Sequence, residues 1–349
     1  MWGAWIETMF KLGINTSGVS QSFTNIFGDY SSVEPLGVFD FTFVKRMPSY
    51  FDPVTNFLHE MKKREVNRFY VQRTYALGDM LEGVPVIRYL RQLGWDAVLR
   101  VPGYYSALLA MLDVPHITSN ERLENMPGLI VDWILERDMT SADLGRLHRV
   151  HIYFKALGIN DLPSKVDWSA DLSKFPEPPI HSSKKYVVMA GQGANYRKQL
   201  DVPTIELIID RLNKAGIEVF YNGDPDEMNV NHELTHLIGR RLNVPELFGL
   251  IARAACLVTV DTGTLWIGHF TNTPTVAILG PSHPDQRLSL HPLYPEGARA
   301  IMTNDWINCP SCTENGKKCN RTMRCLHSNS ERLAETVVAE VAKFYQEQV

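Results

Sequence analysis

From Arg68 onward, short apolar runs alternate with amphipathic segments, and this rhythm limits the fold more than any other feature of the chain. It is clearest in the second half. Tyr186 to Ala190, Glu218 to Tyr221, Cys256 to Val260 and Thr275 to Leu279 read as strands. Between them, Pro203 to Ala215, Pro245 to Ala255 and Leu265 to Thr271 read as helices, the first opened by a proline in its first turn. The first half repeats the pattern with strands at Phe69 to Gln72, Ala97 to Val101 and Leu129 to Trp133. A helix from about Met80 carries Val84, Ile87, Leu90 and Leu93, and another over Ser141 to Leu157 takes Thr140 or Ser141 as its cap. Ser330 to Gln346 closes the chain as a helix. Alternating strands and helices predict parallel sheets covered on both faces.

The segment from Asn160 to Lys185 breaks the rhythm with Pro176, Pro178 and Pro179, a composition that suits a connection. A chain of 349 residues is also too long for one ordinary core. The expected organisation is an N-terminal extension of uncertain fold over 1–66, a first Rossmann-like domain over 67–165 and a linker over 166–185. A second Rossmann-like domain over 186–329 includes a Cys-rich stretch at 309–325, and a terminal helix spans 330–349. With 44% hydrophobic and 21% charged residues the chain reads as globular. A formal charge of −4 argues against nucleic acid as a partner, although a local basic groove stays open. No run of 18 apolar residues suggests a membrane span, and Met1 to Gly13 lacks the layout of a secretory signal, so a cytoplasmic setting is expected.

Three segments carry a resemblance. The first runs from Arg73 to Arg91 and contains a Gly78-Asp79 turn ahead of a helix. The second is Asn243 to Ala254. The third, Val258 to Pro284, holds Asp261-Thr262-Gly263-Thr264 and then Gly280-Pro281. In this order and on this scaffold they resemble glycosyltransferase family 9, the ADP-heptose:lipopolysaccharide heptosyltransferases, over roughly residues 67–347. The resemblance implies a GT-B architecture, two Rossmann-like domains facing across a cleft, with the acceptor on the first and the nucleotide-diphosphate sugar on the second. It implies inverting transfer of a heptose-like sugar to a glycan or lipopolysaccharide-type hydroxyl, with no metal required. It also leaves room for peripheral contact with the inner membrane.

Asp79 is the candidate general base, because inverting transfer needs a carboxylate beside the acceptor hydroxyl. The plain alternative is an N-cap of the helix starting near Met80. Asp261, Thr262, Gly263 and Thr264 follow an apolar strand and open a helix, an arrangement suited to a diphosphate; an ordinary capped turn is the alternative. Many family members carry His where this chain has Trp266, so Trp266 is placed with the donor contacts, and His269 lies one turn on. Gly193, Arg197 and Lys198 follow the first strand of the second half, where the resemblance implies a cation that neutralises the departing nucleotide; a solvated basic loop is the alternative. Cys309, Cys312, Cys319 and Cys325 fall at spacings open to a structural zinc, to free thiols or to a disulfide. Other acceptors (a protein, a metabolite or a modified DNA base) remain as alternatives, as does a non-catalytic nucleotide-binding protein of the same fold.

Overall fold

The computed structural model describes residues 57–73, 76–119, 126–131, 147–178, 184–193, 198–223, 233–238, 242–307 and 325–346, with 121, 182 and 309 besides. Arg197, Cys312 and Cys319, and the first 56 residues of the expected extension, lie outside them.

Two parallel sheets form the molecule. The first lobe contains α1 (Phe57–Lys63), β1 (Arg68–Gln72), α2 (Leu77–Gln92), β2 (Asp96–Val101), α3 (Ser106–Met111), β3 (His116–Thr118), β4 (Gly128–Ile130) and α4 (Arg149–Leu157). Its strands run in the order β3-β2-β1-β4. The second lobe contains β5 (Tyr186–Ala190), α5 (Val202–Lys214), β6 (Glu218–Tyr221), β7 (Thr235–Leu237), α6 (Val244–Ala252), β8 (Cys256–Val260), α7 (Gly263–Thr271), β9 (Thr275–Leu279), α8 (Pro284–Leu288), β10 (Ala298–Met302) and α9 (Ser330–Gln346). Its order is β10-β9-β8-β5-β6-β7, so the chain starts in the middle, winds outward, then returns to wind the other way. This is the doubly wound order, and it leaves a crevice at the carboxyl ends of β5 and β8 where the direction reverses. The first sheet has the corresponding reversal between β1 and β4.

Local sequence accounts for the element boundaries. Asn243 and Glu246 form a reciprocal capping box at the start of α6, and Asp201 caps α5 ahead of Pro203. The central strands β5 and β8 are buried at every position, as continuous Val, Leu, Met and Cys runs require in a sheet covered on both faces. Cys256 is fully buried there, and burial pushes its thiol up.

Two expectations need correction. The helix expected from Ser141 begins at Arg149, where the His148 side chain accepts from the Val150 N–H as its N-cap. The described end of the expected extension belongs to the first lobe, since Phe57 and Met61 enter its core and Phe57 meets Phe69 edge-on. The connecting segment is also well packed: Trp168 and Phe175 are buried, and Phe175 stacks on Phe248 of α6. One apolar core runs from the first sheet through α2 and α7 to the near face of the second sheet, while α5 and α9 close a separate core on its far side. Among the described residues no helix is long and apolar enough to cross a membrane.

Candidate active site

Helices α2 and α7 each follow the carboxyl end of a central strand, β1 and β8, and their first turns meet between the lobes. The approach is close. A Cβ on Gly78 would lie 2.7 Å from Trp266 Cδ1, and one on Gly263 would lie 3.2 Å from Leu77 Cβ. Glycine at both places is therefore what lets the helices touch. The same contact explains the seat of Trp266: its indole is 3% exposed and stacks at 6.0 Å on Trp168 inside the joint. Trp266 is a core residue rather than a donor contact, because a ring wedged over Gly78 has no face left for a ligand.

Three buried imidazoles line that joint. His148, from the cap of α4, lies 5.5 Å from the Trp266 ring, and His269 lies 4.4 Å from His291. Burial lowers all three, His269 to about 4 and the others well below the ordinary range. His269 Nδ1 donates to the Leu265 carbonyl, so this imidazole faces the core and not the crevice.

On the first lobe, Asp79 sits in the first turn of α2, and Ala76 holds the N-cap position without a side-chain bond. The capping alternative is thereby set aside. The Asp79 carboxylate is 3.0 Å from Arg73 Nε, while its backbone carbonyl accepts from the Tyr153 hydroxyl at 2.9 Å. One turn further, Glu82 is buried 3.7 Å from Arg73 Nη1 and 3.9 Å from Arg149 Nε. Burial pushes the Glu82 carboxyl up to about 7, against the pull of Arg73 and Arg149. The loop after β2 brings Tyr104, 72% exposed, and Tyr105 to the same end of the sheet, with ring centroids 4.4 Å apart. The Tyr105 hydroxyl is pushed up to about 12 by burial first, then by Tyr104 and the Asp79 charge.

On the second lobe, Asp261 is a buried anchor for cations. It is 2.9 Å from Lys198 Nζ and 2.8 Å from Arg287 Nε, and the Ser282 hydroxyl donates to it. Thr262 is the N-cap of α7 but makes no side-chain cap bond, and its hydroxyl lies beside Gly193, where a Cβ would come within 3.1 Å. Thr264 is buried and its hydroxyl bonds Thr259 at 2.7 Å, so it faces β8 and not the crevice. Gly193, Lys198, Asp261 and Thr262 thus gather at the crevice between β5 and β8, while Asp79 stands in the first turn of α2, the helix that packs on α7. Sequence reasoning missed Arg287, a fully buried cation on α8. Cys309 is half-buried and Cys325 is buried. Among the described residues no group of three or more His, Cys, Asp or Glu is arranged to hold a metal.

The sequence profile of glycosyltransferase family 9 (heptosyltransferase) matches residues 84–318. Among solved structures, the family 9 glycosyltransferase of Veillonella parvula DSM 2008 superposes with a TM-score of 0.53 at 14% identity, covering 80% of this chain and 97% of that one. The iron-containing dodecameric glycosyltransferase TibC from enterotoxigenic E. coli H10407 superposes at 0.58 and 16% identity, covering 81% and 80%. TibC in complex with ADP-D-β-D-heptose gives 0.55 and 15%, covering 80% and 76%. A search of curated proteins finds no match. The structural likenesses, with two doubly wound lobes meeting at their strand ends, make the fold GT-B. The profile spans well over half of the sequence. This chain belongs to glycosyltransferase family 9, the heptosyltransferase family, and is a glycosyltransferase.

Proposed function

We propose that the chain moves a heptose-like sugar from a nucleotide-diphosphate donor on its second lobe to a glycan hydroxyl on its first lobe, with inversion and without a required metal. The observation that supports this reading is the packing of α2 on α7, with Gly78 against Trp266 and Leu77 against Gly263, which brings the two helix starts that carry Asp79 and Thr262 together between the lobes. The family profile begins at Val84, beyond Asp79, so the role of Asp79 rests on this geometry.

Asp79 takes the proton of the acceptor hydroxyl as its oxygen attacks the anomeric carbon. The bond from that carbon to the diphosphate breaks, and the nucleotide leaves carrying the developing negative charge. Lys198 meets that charge, held in place by Asp261, while Arg287 and Ser282 keep Asp261 oriented. Gly193 lets the loop after β5 lie against Thr262, whose hydroxyl and the first N–H groups of α7 would bind phosphate oxygens. The ADP-heptose bound by TibC supports an adenosine donor. Tyr104 and Tyr105, beside Asp79, suit the apolar face of an acceptor sugar ring. A lipopolysaccharide-type acceptor would bring the chain to the surface of the inner membrane. The domain limits at residues 166 and 186 are proposed on the same footing. The thiols of Cys309, Cys312, Cys319 and Cys325 are soft donors that, if gathered, would suit zinc, or the iron named for TibC, in a structural role.

The test is Asp79→Asn, assayed as nucleoside diphosphate released from ADP-, UDP- and GDP-sugars, with donor binding measured separately. Turnover should fall by roughly 10²–10⁴-fold, the range a positioned proton acceptor supplies, while donor affinity holds. Wild-type turnover by this variant overturns the assignment.

A further inference from the structure

A single exposed aromatic ring on a protein surface needs no explanation, but Tyr104 differs in where it stands and in how firmly it is held. It is largely exposed and follows the carboxyl end of β2, the strand beside β1. It sits in a single helical turn, Gly103–Tyr105, which the Tyr105 N–H closes on the Pro102 carbonyl at 3.0 Å. Ser106 comes next, with its hydroxyl 2.6 Å from His116 Nε2, and Nδ1 of the same imidazole lies 2.8 Å from the Val114 carbonyl. A carbonyl can only accept, so Nδ1 carries the proton and Nε2 accepts from Ser106. The turn is thereby tied to β3. The Tyr105 ring packs on the core of the first lobe and meets the Tyr104 ring at 4.4 Å with their planes at 58°, so the two rings form a notch. A Cβ on Gly103 would meet nothing within 4 Å, which leaves the space beside the turn open. A tyrosine held in this way offers contact area to a ligand at little entropic cost.

The charges that flank the notch are carboxylates. Asp79 stands on the β1 side, in the first turn of α2, with its side chain 22% exposed. Glu121 stands on the β3 side, exposed, and accepts from the Thr118 N–H at 2.7 Å and the Thr118 hydroxyl at 3.1 Å. The arginines at this end of the sheet, Arg73, Arg100 and Arg149, are buried, and Arg100 donates inward to Gln72 and to the Ser119 carbonyl. Among the described residues, the charge this end presents to a ligand is therefore negative. The Tyr105 hydroxyl is pushed up to about 12, by burial first, then by Tyr104 and by the Asp79 charge, so it keeps its proton and can donate. We propose that this notch selects the acceptor as a neutral sugar: Tyr104 stacks on the C–H face of the ring, Tyr105 donates to one of its oxygens, and the flanking carboxylates turn acidic sugars away. The proposal rests on the reading of the first lobe as the acceptor side and names the substrate class of that site. Stacking suits a sugar because one face of its ring is apolar, and a tyrosine joins an apolar body to a polar tip. A phosphate or uronic acid brought to the same place would stand beside like charge, which costs affinity.

The experiment is a saturation-transfer NMR titration of the full chain with maltotriose, mannotriose and galactotriose, and with trigalacturonate as the acidic comparison. It is run on wild type, Tyr104→Phe and Tyr104→Ala. At least one neutral trisaccharide should bind the wild-type chain, and more tightly than trigalacturonate does. Tyr104→Ala should weaken that binding by roughly tenfold, the upper end of what a stacked ring contributes. Tyr104→Phe keeps the ring and should recover most of the loss. The side chain is largely exposed, so both variants should melt near the wild-type temperature, and affinity for ADP-heptose should not move. Equal binding by Tyr104→Ala, tighter binding of trigalacturonate, or no binding of any neutral trisaccharide overturns the proposal. Wild-type turnover by Asp79→Asn is a separate result: it removes the base and leaves the sugar titration standing.

Discussion

Acidification from pH 7 to pH 5 should weaken the protein, and the joint between the lobes sets the size of the effect. His148, His269 and His291 are buried and neutral there, with His269 lowered to about 4 and the other two well below 6.5. In the unfolded chain each imidazole gains a proton as the pH falls through about 6.5. Below that value the unfolded state binds three protons that the native state refuses, so stability falls with the pH. Glu82 acts in the opposite sense. Its folded value is raised from 4.5 to about 7, so between those limits the native state keeps a proton that the unfolded state has lost, and acid favours folding. Between about pH 6 and 5, three against one leaves a net uptake of roughly two protons on unfolding. At about 1.4 kcal/mol per proton and pH unit, stability should drop by roughly 2.7 kcal/mol per pH unit in that window. Urea unfolding at several pH values and constant ionic strength measures it, followed by the fluorescence of Trp168 and Trp266 at the joint. Glu82→Gln removes the opposing proton and should steepen the slope by about 1.4 kcal/mol per pH unit. A stability that is flat or rising between about pH 6 and 5 would refute the reasoning, because three buried neutral imidazoles outweigh one raised carboxyl.

Two further outcomes follow. Gly78→Ala puts a methyl 2.7 Å from Trp266 Cδ1, so it should cost about 1–3 kcal/mol, read as a melting temperature lower by several degrees; an unchanged melting temperature would mean the lobes part freely. Elemental analysis of the purified chain should find one zinc or iron per molecule, removable by a chelator with loss of stability, whereas a metal-free, fully reduced and equally stable protein would leave Cys309, Cys312, Cys319 and Cys325 as plain thiols.

The strands legible in the sequence are the ones buried on both faces. β5, β6, β8 and β9 are nearly continuous apolar runs, and their limits match the expected ones at every residue. The missed strands β3, β7 and β10 all lie at sheet edges. Thr235-His236-Leu237 is half-exposed throughout, and β10 alternates buried and exposed positions around Arg299, so neither leaves an apolar run to read. The site divides the same way. Asp79 and Asp261-Thr262-Gly263 stand at strand-to-helix turns, where local chemistry marks them. Trp266 and Thr264 misled because the side a helix residue faces depends on what packs against it, and α2, the partner of α7, lies almost two hundred residues away in the chain. Glu82 did leave a signal, as the one charge among Met80, Leu81, Val84 and Ile87 on a buried helix face. Arg287 left none, because its partner Asp261 meets it only in the folded chain.

Helix α7 has two duties, and their combination says why the lobes are joined where they are. Its first turn lies at the crevice with Thr262 and Gly263, and its flank carries Trp266 and His269 into the joint against Gly78 and His148. Helix α2 is built in the same way, with Asp79 at its start and a buried flank behind it. On the proposed roles, the distance from base to donor is set by the packing of an indole on a glycine. Transfer between a bound donor and a bound acceptor is sensitive to misplacement on the order of 1 Å. A packed joint gives when its volume changes, and each change at Gly78, Leu77 or Trp266 therefore moves Asp79 relative to Gly263. Substitutions at the joint should accordingly lower turnover before they unfold the chain, while leaving donor affinity, which depends on the second lobe, close to its starting value.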